Sequence, residues 1–164
     1  MIWVPKSFTM LTCKLILHTP LGQLVDAKPV TPTVSSMVAN CRPTILVVED
    51  DDAVRSFVKI VLEQAHYAVL SAANANQAST IYRDNHDVID LVLSDVVMPG
   101  RSGAELATEL RALDSEVPIV FMSGFPGGTT AHPVQLPSGS DVLAKPFTID
   151  QLLKQVRRRL ASSE

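Results

Sequence analysis

The chain has 164 residues, of which 46% are hydrophobic, 19% charged and 5% aromatic. That is enough apolar material for one ordinary domain with a core of its own plus a tail, and it excludes wholesale disorder. A formal charge of −3 and a pI near 5.8 argue against a nucleic-acid partner held by broad phosphate neutralisation. Two cysteines, Cys13 and Cys41, exclude a disulfide framework, a four-thiolate zinc site and a Cys-x-x-Cys redox pair. No apolar run reaches the roughly 18 residues of a membrane span.

The charge divides the chain. Residues 1–42 carry four bases against Asp26 alone, a charge of +3, whereas residues 43–164 hold ten bases and sixteen acids, a charge of −6. Pro20, Pro29, Pro32 and Pro43 punctuate the first part, and Lys28 to Ser36 reads as a linker. The boundary is placed near Arg42, giving an N-terminal extension of residues 1–42 and a domain of residues 43–164. Met1 to Leu24 is apolar and basic, as a secretory or transit peptide is. Lys14 interrupts its apolar stretch, however, and no small-x-small cleavage site follows, so a flexible or weakly helical extension is the expectation.

From Pro43 onward the pattern alternates between strands and helices. Thr44–Val48 is a β-branched-rich apolar run, the mark of a strand buried on both faces. It ends in Glu49, Asp50, Asp51 and Asp52. Val54, Phe57, Val58, Val61, Leu62 and Ala65 then recur at helical spacing. Ala68–Ala72 reads as a second strand, and Ala75 to Tyr82 as a weaker helix with Ile81 inward. Leu91–Ser94 is a third strand, entering Asp95. Ser102 and Glu105 form a capping box, with Ala104, Leu106, Leu110 and Leu113 on one face of the helix that follows. Ile119–Met122 and Val142–Ala144 are the fourth and fifth strands. Thr148 and Gln151 form a second capping box, opening a helix with Ile149, Leu152, Leu153, Val156 and Leu160 inward. Five strands alternating with helices imply a parallel sheet with right-handed crossovers. Between Ser123 and Asp141 the prolines and glycines break the rhythm: each proline in a helix interior costs about 3 kcal/mol and each glycine about 1 kcal/mol. The helix due there is expected to be short, broken or largely loop.

The chemistry gathers at the carboxyl ends of the strands, where open α/β sheets bind their ligands. The first strand delivers Glu49 and Asp50, the third Asp95, the fourth Ser123 and the fifth Lys145, followed by Pro146. Three adjacent carboxylates repel one another, and a hard divalent cation such as magnesium, which takes oxygen ligands, resolves the repulsion. A metal, an ammonium, a hydroxyl donor and a carboxylate able to form an acyl phosphate are the parts phosphoryl transfer requires. Each residue alone has a plainer reading: Asp95 as a turn residue, Glu49 and Asp50 as solvated charges at a helix N-terminus, Lys145 as a surface cation. Their grouping on one rim favours chemistry. Asp51 and Asp52 fit helix capping alone, and Met98 and Pro99 loop geometry. His66, His86 and His132 have no metal-ligand spacing, and His18 lies outside the domain. Arg157, Arg158 and Arg159 suit the dipole at the end of the last helix.

Four segments in order carry a resemblance to a known family: Ile45-Leu-Val-Val-Glu-Asp-Asp-Asp52, Leu91-Val-Leu-Ser-Asp-Val-Val-Met-Pro-Gly100 with Gly103, Ile119-Val-Phe-Met-Ser-Gly124, and Ala144-Lys-Pro-Phe147. They resemble the receiver domain of two-component response regulators, and their wording is similar to receivers attached to hybrid sensor histidine kinases. The resemblance spans about residues 43–160. It implies a flavodoxin-like, three-layer doubly wound α/β sandwich with five parallel strands in the order 2-1-3-4-5. It implies a cytoplasmic phosphorelay component that is not an enzyme beyond accepting and shedding its own phosphoryl group. Its partners would be a histidine kinase or histidine phosphotransfer protein upstream and an unknown protein downstream, with no nucleic acid and no membrane span. Asp95 would be the phosphoacceptor, Ser123 the switch hydroxyl, and Lys145 the partner first of Asp95 and then of the phosphoryl group. Mg²⁺ would be held by Asp50 most directly, by Glu49 mainly through water, by Asp95, and by the backbone carbonyl of Val97. Pro146 would follow a cis peptide bond.

Two departures from the family pattern stand out. Val142 occupies the place three before the lysine where many receivers carry an aromatic switch residue, and Phe125 to Gly139 is rich in proline and glycine. The chain ends shortly after the last helix, so no output domain is expected. The alternative reading is a pseudo-receiver, a protein-interaction module that phosphate does not switch; such modules normally lack one of the five rim residues. A haloacid-dehalogenase-like phosphatase would need an acid at Val97, and a flavodoxin would not place four acids in its phosphate loop.

Overall fold

The computed structural model describes residues 42–124, 136–137 and 139–162. Most of the expected N-terminal extension, and most of the proline- and glycine-rich segment after Gly124, lie outside the described residues. Among the described residues nine elements follow one another: β1 (Thr44–Val48), α1 (Asp52–Gln64), β2 (Ala68–Ala72), α2 (Ala75–Asn85), β3 (Ile89–Asp95), α3 (Gly103–Leu113), β4 (Ile119–Ser123), β5 (Asp141–Ala144) and α4 (Ile149–Ala161). The strands form one sheet in the order β2-β1-β3-β4-β5, with every pairing parallel. Both the parallel sheet and its strand order match the expectation.

Alternation along the strands decides which layer each side chain joins. Leu46, Val48, Val92, Ile119 and Phe121 point to the face covered by α2 and α3, where Ala78, Tyr82, Leu106 and Leu110 meet them. Ile45, Val47, Leu91, Leu93, Val120 and Met122 point to the opposite face and pack on Val58 and Leu62 of α1 and Leu152 and Val156 of α4. The central strands are therefore apolar on both faces through their middles, at Ile45–Val48, Leu91–Leu93 and Ile119–Met122, and this is why those stretches read as hydrophobic runs.

Local chemistry sets the helix starts. Asp51 is the N-cap of α1 and accepts from the backbone N–H groups of Ala53 and Val54, which hold its carboxyl below the usual range. Both expected capping boxes form, Ser102 with Glu105 and Thr148 with Gln151. The end of α1 is less ordinary. The N–H of Tyr67 bonds the carbonyl of Leu62 and that of His66 the carbonyl of Glu63, a closing turn that puts His66 at φ +66°.

Three expected inward residues face solvent instead: Phe57, Leu113 and Ile149 are all exposed. Phe57 and Leu113 lie about 90° and 70° round their helices from the mean direction of the buried residues, whereas Ile149 lies within about 20° of it and is exposed by its place along the axis. Leu113 is moreover the last residue of α3 and Ile149 the first of α4, where the helix end reaches past its packing surface. Apolar spacing traced a stripe wider than the face the sheet covers.

Candidate functional site

Parallel strands all present their carboxyl ends on one side of the sheet, so topology alone gathers the residues that follow them. Glu49 and Asp50 follow β1; Asp95 and Ser123 end β3 and β4; Lys145 follows β5. The N–H of Glu49 bonds the carbonyl of Ala72 at the end of β2, 3.1 Å away. The N–H of Lys145 bonds the carbonyl of Ser123 at 2.6 Å, tying β5 to β4 at the rim. The peptide between Lys145 and Pro146 is cis.

The side chains converge as well. Lys145 Nζ donates to Glu49 Oε2 at 2.6 Å and stands 3.2 Å from Asp95 Oδ2. Asp95 Oδ1 accepts from the backbone N–H of Val96 at 2.7 Å. Glu49 is 1% exposed and Asp95 8%, whereas Asp50 faces solvent. One carboxylate oxygen from each of the three acids lies within 4.8 Å of the others. Three carboxylates meet one ammonium, so the cluster keeps an excess of negative charge open to solvent at Asp50. An all-oxygen donor set of that charge suits a hard divalent cation.

The environment shifts two of these groups. Burial raises the Glu49 carboxyl, and the neighbouring Asp95 and Asp50 charges add to this, with Lys145 only partly offsetting them. Burial alone would depress the Lys145 ammonium, but the hydrogen bond to Glu49 and the charges of Asp95 and Glu49 outweigh it and raise its pKa. A cation pinned between two carboxylates stays protonated.

All five predicted rim residues therefore lie at the ends of adjacent strands, and four of them, Glu49, Asp50, Asp95 and Lys145, are in demonstrable mutual proximity. Val97 lies two residues beyond Asp95, its side chain exposed, where its backbone can serve the site without its side chain. Val142, in the place of the family's aromatic residue, is 41% exposed on the edge strand.

Two contributors carried no reading of their own in the sequence. Gly103 stood in the motif without a role. A Cβ built on it would meet the backbone oxygen of Asp95 at 2.0 Å and Ser94 Oγ at 2.9 Å, and its N–H bonds the carbonyl of Val96 at 3.0 Å. Only a glycine lets the start of α3 press against the end of β3. Arg55 reaches back from α1: Nη1 donates to the carbonyls of Glu49 at 2.7 Å and Asp50 at 3.3 Å, and Nη2 pairs with Asp52. A single arginine early in an amphipathic helix looks like any solvated cation. Its only signal is its place five and six residues after the two acids.

The fold and the acidic rim define a signalling receiver module, and the sequence comparisons agree. The response regulator receiver domain family matches residues 45–157, and the chain belongs to it. The chain is 34% identical over 121 residues to the sensor kinase CckA of Brucella abortus, a match covering 74% of this chain and 13% of that protein. It is 33% identical over 119 residues to the response regulator receiver protein CpdR of the same organism, covering 73% of this chain and 98% of that one. Among solved structures, the receiver domain of the hybrid histidine kinase CckA superposes with a TM-score of 0.61 at 37% identity, over 71% of this chain and 98% of that one. Among the described residues no helix is long and apolar enough to cross a membrane.

Proposed function

We propose that residues 43–164 act as a phosphoryl acceptor in a phosphorelay, taking the group from a phosphohistidine of a histidine kinase or phosphotransfer protein onto Asp95. The observation that carries this reading is the Lys145 ammonium held against both buried carboxylates, Glu49 at 2.6 Å and Asp95 at 3.2 Å, with Asp50 completing the acidic cluster. An oxygen of the Asp95 carboxylate attacks phosphorus as the P–N bond to the donor imidazole breaks. The bonding pair returns to the ring nitrogen, and an acyl phosphate remains. Lys145 lies within reach of the negative charge gathering on the transferred group and exchanges part of its contact with Asp95 for the phosphoryl oxygens. Ser123, at the end of the next strand, offers its hydroxyl to the same group and so links phosphorylation to a shift between two states of the rim. Mg²⁺, held by Asp50, Asp95, the Val97 carbonyl and, through water, Glu49, would neutralise charge on the phosphoryl oxygens.

Intact mass after incubation with Mg²⁺ and acetyl phosphate tests this, beside Asp95→Asn. The expected result is a gain of one phosphoryl group that requires Mg²⁺ and is lost in the variant. A folded wild-type protein that gains none is a pseudo-receiver, and the proposal fails.

A further inference from the structure

The geometry points to Arg55 as a positioning residue that sets the cation affinity of the acidic rim by gripping the backbone beneath it. The inference rests on the reading of Glu49, Asp50 and Asp95 as metal ligands, and concerns what holds the first two in place.

Residues 49–51 connect β1 to α1 and carry two of the three acids. Three anchors apart from Arg55 hold this loop: the Glu49 N–H on the Ala72 carbonyl, the Glu49 carboxylate on Lys145, and the Asp51 side chain on the first turn of α1. None of them holds the carbonyls of Glu49 and Asp50, whose peptide planes set the direction in which the two side chains leave the backbone. Arg55 Nη1 takes both carbonyls, at 2.7 and 3.3 Å. Its Nη2 is engaged by Asp52, so the ion pair fixes the plane of the guanidinium while the other nitrogen grips the loop. The planar fork does what a single ammonium cannot, because three acceptors in fixed directions need donors in fixed directions.

The arrangement makes opposite predictions for charge and for geometry. As a charge alone, Arg55 repels a metal cation, and its removal would tighten binding. As a clamp it preorganises the ligands, and its removal weakens binding; groups that orient metal ligands in this way are worth about tenfold or more in affinity.

The test is isothermal titration of the unphosphorylated protein with Mg²⁺ alone, with thermal melting as a check on folding. Arg55→Ala should raise the Mg²⁺ Kd about tenfold, and Arg55→Lys, which keeps the charge and the helix, should raise it severalfold. Tighter binding by Arg55→Ala overturns the clamp. So does a wild-type Kd in Arg55→Lys, which would show that any cation suffices at this position. Should Arg55→Ala fail to fold, Arg55→Lys decides alone. A wild-type protein that does not bind Mg²⁺ at all overturns the metal-site reading itself, a failure distinct from variants that match a binding wild type.

Discussion

Replacing Gly103 by alanine should damage this domain more than any other single-methyl change at a described glycine, even though Gly103 has no unusual backbone angle. The added Cβ would lie 2.0 Å from the Asp95 carbonyl oxygen and 3.0 Å from the Asp95 carbonyl carbon. Real Cβ contacts essentially never fall below 3.0 Å, so the start of α3 and the end of β3 must part by about 1 Å or more. Both sides of that contact are backbone, which cannot rotate away as a side chain would. The displacement also pulls on the 3.0 Å bond from the Gly103 N–H to the Val96 carbonyl. Overpacking of this kind costs about 3 kcal/mol, which for a domain of this size lowers Tm by on the order of 10 °C. Gly100 and Gly124 provide the contrast. Gly100 has φ +80° but open space around its Cβ position, so Gly100→Ala should cost about 1 kcal/mol, from the left-handed conformation alone. Gly124 has open space and no positive φ, so Gly124→Ala should be neutral or stabilising by up to about 0.5 kcal/mol. Thermal denaturation of the three variants in one buffer gives the ranking. A Gly103→Ala protein that melts within 2 °C of wild type (about the resolution of a 0.5 kcal/mol effect), or above Gly100→Ala, refutes the steric account.

Three other perturbations test separate parts of the structure. His66→Gly should stabilise the domain by roughly 0.5–1 kcal/mol, because φ +66° strains a side chain that glycine lacks; a lower denaturation midpoint would contradict this. Lys145→Ala leaves Glu49, 1% exposed, without its cation and should cost about 3 kcal/mol in chemical denaturation; the exposed Lys154→Ala should stay within about 0.5 kcal/mol of wild type. Glu109 pairs with Arg83 and Arg101 and accepts from Ser79 at 3.0 Å. Partial burial raises its carboxyl, but the Arg101 and Ser79 hydrogen bonds and the two arginine charges outweigh that and hold it below the ordinary 4.5. A depressed acid adds stability above its unfolded pKa and loses it as pH falls through the folded one. Glu109→Gln should therefore be less stable than wild type at neutral pH, with the gap closing as pH drops below about 4.5; a gap constant from pH 7 to pH 3 would refute this.

The elements of the fold that could be read in advance were those whose signal is local. Thr44–Val48 announces a strand buried on both faces because four consecutive apolar residues follow Thr44, and Ser102 with Glu105 announces a helix start because the two groups satisfy each other's backbone donors. The identity of the candidate site was legible for a related reason. In a parallel sheet every strand delivers its carboxyl end to the same rim, so Glu49, Asp50, Asp95, Ser123 and Lys145 could be grouped from strand ends alone, without distances.

What the sequence by itself determined, then, was the strand–helix alternation, the doubly wound class and the rim's donor set, all of which depend on residue type and spacing along the chain. What only the tertiary structure decided was who touches whom across it. Lys145 bonds Glu49 from 96 residues away and does so more closely than it approaches Asp95. Arg55 grips two carbonyls that no side-chain pattern reports, and Gly103 matters because of a backbone oxygen eight residues earlier. Phe57, Leu113 and Ile149 continue the apolar spacing of their helices yet lie beyond the surface the sheet covers. In each case the deciding quantity is a direction or a distance in space, set by the crossing of packed elements, and a one-dimensional pattern of residue types carries neither.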